Sequence, residues 1–287
     1  MTTKIDGLSK NGAAFRAYLL TALFLLMAPA LNAAPKSEYW AIWDKSDASS
    51  QKVFDHSSWS PLLSRYLSEP ADGSVRLFDY KSVSASDRKQ LQAYIASLSG
   101  VDPRTYRKSE QMAYWINLYN ALTVELILKH YPVKTITKIG SWYQFGPWDE
   151  EIVTVAGQKL TLNDIEHRIL RPIWKDKRIH YAVNCASRGC PDLAMEAFTG
   201  AELEGQLEEA ARRFINQEKA VEFIDGRLAL SQIYEWYVAD FGDRAALMKH
   251  FLAHLQPPLS EKLKKYTGPL DYQYDWSLND RAPSGNG

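Results

Sequence analysis

Cysteine is scarce in this chain, two residues among 287 at positions 185 and 190, so a multiply stapled secreted scaffold is excluded and at most one intrachain disulfide can form. Excess charge is also missing. Lys and Arg together number 34 and so do Asp and Glu, which leaves no broad basic surface to neutralise phosphates and argues against nucleic acid as a partner. Between residues 34 and 280 there is no low-complexity tract, charge block or Gly/Ser linker, so this stretch reads as a single globular domain, 34–281, followed by a flexible tail at 282–287. What is present is an ordinary globular composition, 46% hydrophobic and 24% charged, sufficient to bury a sizeable core.

The N-terminus has the three-part layout of a secretory signal. Lys4, Lys10 and Arg16 precede an apolar run from Ala17 to Ala28, and Pro29 then leads into the small residues Ala30 to Ala34. The run is shorter than the roughly 20 apolar residues that span a bilayer. A signal peptide over 1–33, cleaved after Ala33, is therefore expected, with no membrane anchor after its removal. With no cysteine near that position to take a lipid, a periplasmic or secreted location follows.

Along the mature chain, Ser86 to Leu98 reads as a helix with Asp87 in its first turn, and Glu110 to Tyr131 as a helix whose apolar positions cover nearly its whole circumference. Pro132 ends it. Asn117 and Asn120 lie three apart inside this buried helix, so their amides either tie neighbouring backbone to it or line a site. Two later segments share one plan. Glu151 to Leu162 and Val221 to Leu230 each read as a hairpin, turning at Ala156-Gly157-Gln158 and Asp225-Gly226, and each is followed by a helix. Thr161 and Asp164 have capping-box spacing, and Ser231 is placed to cap the second helix.

The segment His180 to Pro191 holds both cysteines. Ile179, Tyr181 and Val183 predict a strand, which would put His180 and Asn184 on one face and Cys185 on the other. Ser187 to Gly189 predict a turn, and Pro191 suits the first position of a helix with Cys190 at its N-cap. There the helix dipole and Arg188 would lower the thiol pKa, which makes Cys190 the better nucleophile, with His180 as its base. The competing reading is a local Cys185–Cys190 disulfide, expected in an oxidising compartment. It needs Cα atoms within about 7 Å, and the predicted turn supplies the reversal. A metal site of His180, Cys185 and Cys190 lacks a fourth ligand and tight cysteine pairing, so no metal or other cofactor is expected.

His250 and His254 sit four apart without the Glu of a zinc-protease helix and read as exposed helix histidines. Glu166, His167 and Arg171 can present a polar face, with surface ion pairing the simpler reading. The loop Trp142 to Trp148 and the run Tyr272 to Trp276 are rich in aromatics. Core packing explains most aromatic residues, but a Gly/Pro-containing loop with four of them also suits a lip that stacks on sugar or peptide.

Five blocks, in order, resemble the family called domain of unknown function 547. They are Tyr114 to Ala121, Leu162 to Arg171, His180 to Pro191, Ser231 with Trp236-Tyr237 and Asp240-Phe241, and Tyr274 to Asn279. The resemblance runs from about residue 50 to residue 280 and implies no established reaction. It implies a pattern containing His180, Cys185, Cys190 and Pro191, in a family that also occurs inside cells, where a disulfide would not persist. The expected fold is α+β, a buried central helix packed on a mixed or antiparallel sheet with hairpin-helix units, papain-like only by analogy. The expected site joins Asn117 and Asn120 to His180 and the cysteine loop. One reading is a thiol-dependent hydrolase or acyl transferase, with Cys190 or Cys185 as nucleophile, His180 as base and Asn117 or Glu166 orienting it. The other is a non-catalytic module with bonded cysteines that holds a small-molecule, peptide or glycan ligand of the cell envelope, with Asn120, Trp142, Trp148 and Arg171 as candidate ligand-binding residues.

Overall fold

In the computed structural model, residues 34–141 and 145–281 are described. The expected signal sequence, Trp142 and the expected tail lie outside them. Contacts separate Met1–Ala34 from Pro35–Gly287, and the helices and strands named here all belong to the second unit.

The fold is α+β. Helix α1 (Trp59–Tyr66) and helix α2 (Ala85–Ser99) precede the central helix α3 (Lys108–His130). The Ser84 side chain caps α2 by accepting from the Asp87 N–H, which satisfies one of the free donors at its start. Helix α3 is buried almost continuously from Glu110 to Ile127. It ends where Tyr131, the residue before Pro132, turns extended, as proline demands of its predecessor.

Both hairpins form. Strands β1 (Val153–Val155) and β2 (Gln158–Leu160) pair antiparallel, as do β3 (Val221–Ile224) and β4 (Arg227–Ser231). Their two-residue turns, Ala156-Gly157 and Asp225-Gly226, have positive φ at both positions, as a hairpin turn matched to strand twist requires. Strand β5 (Leu270–Gln273) joins β4 in parallel, making the three-stranded sheet mixed.

Two apolar clusters form the interior. The first surrounds α3, which packs mainly on α2 and on a π-helical stretch, Asp164–Leu170. The second contains the three-stranded sheet together with Phe214, Tyr234 and Phe251. The central helix therefore finds its main partners among helices, while the larger sheet builds a core of its own.

Residues 179–182 form a short helix, not the predicted strand. Ile179, Ala182 and Val183 enter the first cluster and Tyr181 the second. A short apolar run fits either period, and here the helical one serves both cores. Among the described residues no helix is long and apolar enough to cross a membrane.

Candidate functional site

The cysteine loop is held from three sides. Cys185 and Cys190 are joined by a disulfide, with Cα atoms 6.1 Å apart. No helix follows at Pro191, so the expected N-cap position for Cys190 does not exist. From the central helix, the Asn120 amide donates to the Ala182 carbonyl at 2.9 Å and accepts from the Asn184 N–H at 2.9 Å. Asn184 in turn accepts from the Ala186 N–H at 2.8 Å, supporting a left-handed Ala186 at φ 59°. From the C-terminal segment, Ser277 and Asp275 carbonyls accept the N–H groups of Arg188 and Gly189, both at 2.8 Å. The third side is Lys219, whose ammonium donates to the carbonyls of Arg188 and Cys190 and pairs with Asp192 at 2.8 Å. Burial pushes the Lys219 pKa down, while the neighbouring Asp192 carboxylate opposes that shift.

Beside this loop lies a continuous set of aromatic rings. Tyr274 places its hydroxyl 3.2 Å from the Cys185 sulfur and 2.9 Å from the Ser187 oxygen. Its ring contacts Trp236 and Trp276, with centroids 4.8 and 4.6 Å away, and Trp276 reaches Phe145 at 5.0 Å and Trp148 at 6.0 Å. Phe145 is 46% exposed, and Trp236 and Trp276 are half-buried. Gly146 adopts φ +83° and lies so close to the Trp148 ring that a side chain there would overlap it, which makes the glycine a requirement of the packing.

His180 belongs to a different group. Its Nε2 meets Asp240 Oδ2 at 2.7 Å, its Nδ1 lies 3.7 Å from Glu166 Oε1, and its ring stacks on Tyr237 at 3.9 Å. Neither sulfur is among these contacts. The π-helical stretch supplies the rest. Thr161 and Asp164 start it with the expected reciprocal bonds, both 3.0 Å. The Arg171 N–H bonds the Glu166 carbonyl five residues back, so Glu166, His167 and Arg171 all turn inward. Their expected role as a surface ion pair is thus corrected, since all three are buried. Arg171 donates to Asp240 at 2.6 Å, to the Pro35 carbonyl at 2.8 Å and to His167 Nδ1 at 3.0 Å. Tyr237 donates to Glu166 at 2.9 Å.

The electrostatics are coherent. Burial opposes charge on Asp240, but hydrogen bonds from His180 and Arg171 outweigh it and hold the carboxyl far below its ordinary pKa. Burial likewise opposes ionisation of Glu166, and its neighbours His167 and His180, the Tyr237 hydroxyl and Arg171 turn the balance downward. Burial pushes His167 down to about 4, consistent with a neutral ring whose Nδ1 accepts from Arg171. Among the described residues, the buried His180 Nδ1 has no hydrogen-bond partner. The cluster is therefore an ionised carboxylate shared by Arg171 and His180, with a second carboxylate on the far side of the imidazole.

Of the candidate site residues, Asn120 meets the cysteine loop, and Glu166 and Arg171 join His180. Asn117 goes elsewhere: its amide accepts from the Phe198 N–H at 3.0 Å and donates to the Phe198 carbonyl at 2.7 Å, a tie between backbone segments. Trp148 joins the aromatic group. His250 is half-buried, against the expected exposure, and contacts the Tyr181 hydroxyl at 2.9 Å. Among the described residues no group of three or more His, Cys, Asp or Glu side chains is arranged to hold a metal ion. Asp240, Tyr237, Tyr274 and Lys219 are site residues that sequence reasoning does not single out. The only signal for the first three is their place in the blocks Trp236 to Phe241 and Tyr274 to Asn279.

The family described as "Protein of unknown function, DUF547" matches residues 103–215. That range takes in the central helix, the π-helical stretch and the cysteine loop, and stops before Asp240 and Tyr274. No curated protein and no solved structure matches the chain.

Proposed function

We propose that this protein is an exported, non-catalytic binding module that takes a glycan or peptide of the cell envelope against the aromatic face beside the disulfide loop. The observation that carries this reading is that both sulfurs are bonded to each other. A disulfide has no thiolate to attack a substrate, and His180 engages Asp240 instead. The bonded loop then acts as a support for Tyr274, and through it for Trp236 and Trp276. Flat, partly exposed rings held rigidly offer large contact area at small entropic cost, which suits stacking on sugar rings or on peptide side chains.

Titration of tryptophan fluorescence with soluble peptidoglycan fragments tests this. Binding is expected to perturb the emission, and Trp276→Ala is expected to weaken it by about fivefold, the loss of roughly 1 kcal/mol of ring contact. Intact mass after alkylation without reductant supplies the second arm. Two unmodified sulfurs support the module, whereas one rapidly alkylated thiol near neutral pH would sink it in favour of thiol chemistry.

A further inference from the structure

On another part of the surface, a cavity of about 620 Å³ opens beside the Arg171–Asp240 pair, within the size range of small-molecule sites. Its charged lining is Asp44, Arg171, Lys175, Asp176, Lys177 and Asp240. Formal charges balance, yet each carboxylate is already engaged. Asp44 takes Lys108 at 2.5 Å and the Tyr39 hydroxyl at 2.6 Å. Asp176 takes the Arg178 guanidinium at 2.6 Å, and Asp240 takes Arg171 and His180. Lys175 and Lys177 have no side-chain ion pair or hydrogen bond among the described residues, so the cavity presents two ammonium groups that no close contact engages. Among the described residues, Arg171 uses Nε and Nη1 in its hydrogen bonds and Nη2 makes none.

A second observation singles out Lys175. It ends the helix Arg171–Trp174 in the left-handed conformation, φ 53°, where glycine is the usual residue because a Cβ is disfavoured there. A lysine in this left-handed conformation brings a cation to the cavity rim at a cost in backbone strain.

From these observations we infer that the cavity is a binding site for a small multivalent oxyanion, a phosphate ester or a polycarboxylate, clamped by Lys175 and Lys177 with the free edge of Arg171. Among the described residues no hydrogen bond or close ion pair holds either ammonium group, and Asp176 acts on Lys177 only electrostatically, so both lysines can turn to a ligand. Arg171, fixed by Asp240 and the Pro35 carbonyl, supplies a pre-oriented donor.

Isothermal titration of the intact protein with inorganic phosphate and, separately, with succinate tests this, using chloride at equal ionic strength as the blank. Saturable millimolar or tighter binding of at least one anion is expected, the stronger arm telling phosphate from carboxylate chemistry. The pair Lys175→Gly and Lys177→Gln should together weaken it by about tenfold, the size of losing two partly exposed charge contacts. Lys175→Gly by itself should bind less well while melting no lower than the unchanged protein, a separation that damage to the fold would not produce. Absence of binding by both anions, or binding unchanged in the double variant, would overturn the site. The aromatic-face titration is read separately, so failure of either site leaves the other standing or falling on its own result.

Discussion

Gly189 lies directly against Asp275: a Cβ on the glycine would fall 2.8 Å from the Asp275 backbone nitrogen and 3.0 Å from its carbonyl oxygen. The Gly189 N–H already bonds that carbonyl at 2.8 Å. Neighbouring backbone, unlike a flexible side chain, has little room to yield. Gly189→Ala is therefore expected to cost about 1 to 3 kcal/mol in urea unfolding and to loosen the cysteine loop. Gly205, in the helix Leu203–Ile215, is the contrast, because nothing lies within 4 Å of its added methyl; helix propensity should make Gly205→Ala stabilising by about 0.5 to 1 kcal/mol. Equal effects at the two sites would remove the close-approach argument.

Removing the disulfide should be tolerated. The ring closed by Cys185 and Cys190 is short, and chain entropy assigns such a ring about 2 kcal/mol. Asn120, Lys219 and the Asp275 to Ser277 backbone hold the same loop independently. The double variant Cys185→Ser with Cys190→Ser is expected to fold, with its urea midpoint lowered in proportion. Complete loss of folding would show that the bond organises more than its own loop.

Asp240→Asn should be more damaging than its modest change in shape suggests. The substitution leaves Arg171, almost wholly buried, without its carboxylate, and gives Arg171 Nε and His180 Nε2 a neutral amide oxygen in place of the charged one they share. Stripping one partner from a buried pair costs about 3 to 5 kcal/mol, and the partial exposure of Asp240 lowers the expectation to about 2. Chemical denaturation measures it, and a change below about 0.5 kcal/mol would show that the pair is energetically idle.

Stability should fall steeply on mild acidification. Burial lowers His56, His167 and His250 to about 4 from an ordinary 6.5. Below the unfolded value the unfolded chain takes up protons that the native state refuses. Stability is thus fully present above about pH 6.5 and is lost as pH falls toward about 4. In the middle of that window His56 and His167 each contribute about 1.4 kcal/mol per pH unit, and half-buried His250 contributes less. Unfolding free energies at about pH 7, 6 and 5 give the slope, and a flat profile would mean that these histidines are hydrated in the native state.

The elements written in local chemistry were legible. The Asp225-Gly226 turn between two apolar runs specifies a hairpin wherever it occurs, and the Thr161–Asp164 box is closed by residues three apart. The all-round apolar pattern of Glu110 to Ile127 announces burial without saying against what. Residues 179–182 are a helix where a strand is predicted, because four residues cannot separate a period of 2 from one of 3.6. The site was legible only in fragments. His180, Glu166 and Arg171 could be singled out, but the meeting of His180 and Arg171 at Asp240 spans 60 or more residues, and the inward turn of Glu166 and Arg171 rests on a π-helical stretch that local pattern does not signal.

By itself the sequence determined the α+β class, the central buried helix, both hairpins and the chemical possibility of a bond between Cys185 and Cys190. Those depend on periodicity, turn chemistry and short-range spacing, which act before distant segments meet. Tertiary structure decided that His180 faces Asp240 and Glu166, that the cysteine loop is braced by Asn120, Lys219 and Asp275, and that Lys175 and Lys177 share a cavity with Arg171. The first two relations join residues from separate parts of the chain, and the third depends on the packing of the residues around Asp44 and Asp240 that completes the cavity wall. Packing also decided the ionisation of Asp240 and Glu166, whose burial opposes charge while the groups around them favour it, because the cost of a buried charge depends on which groups surround it.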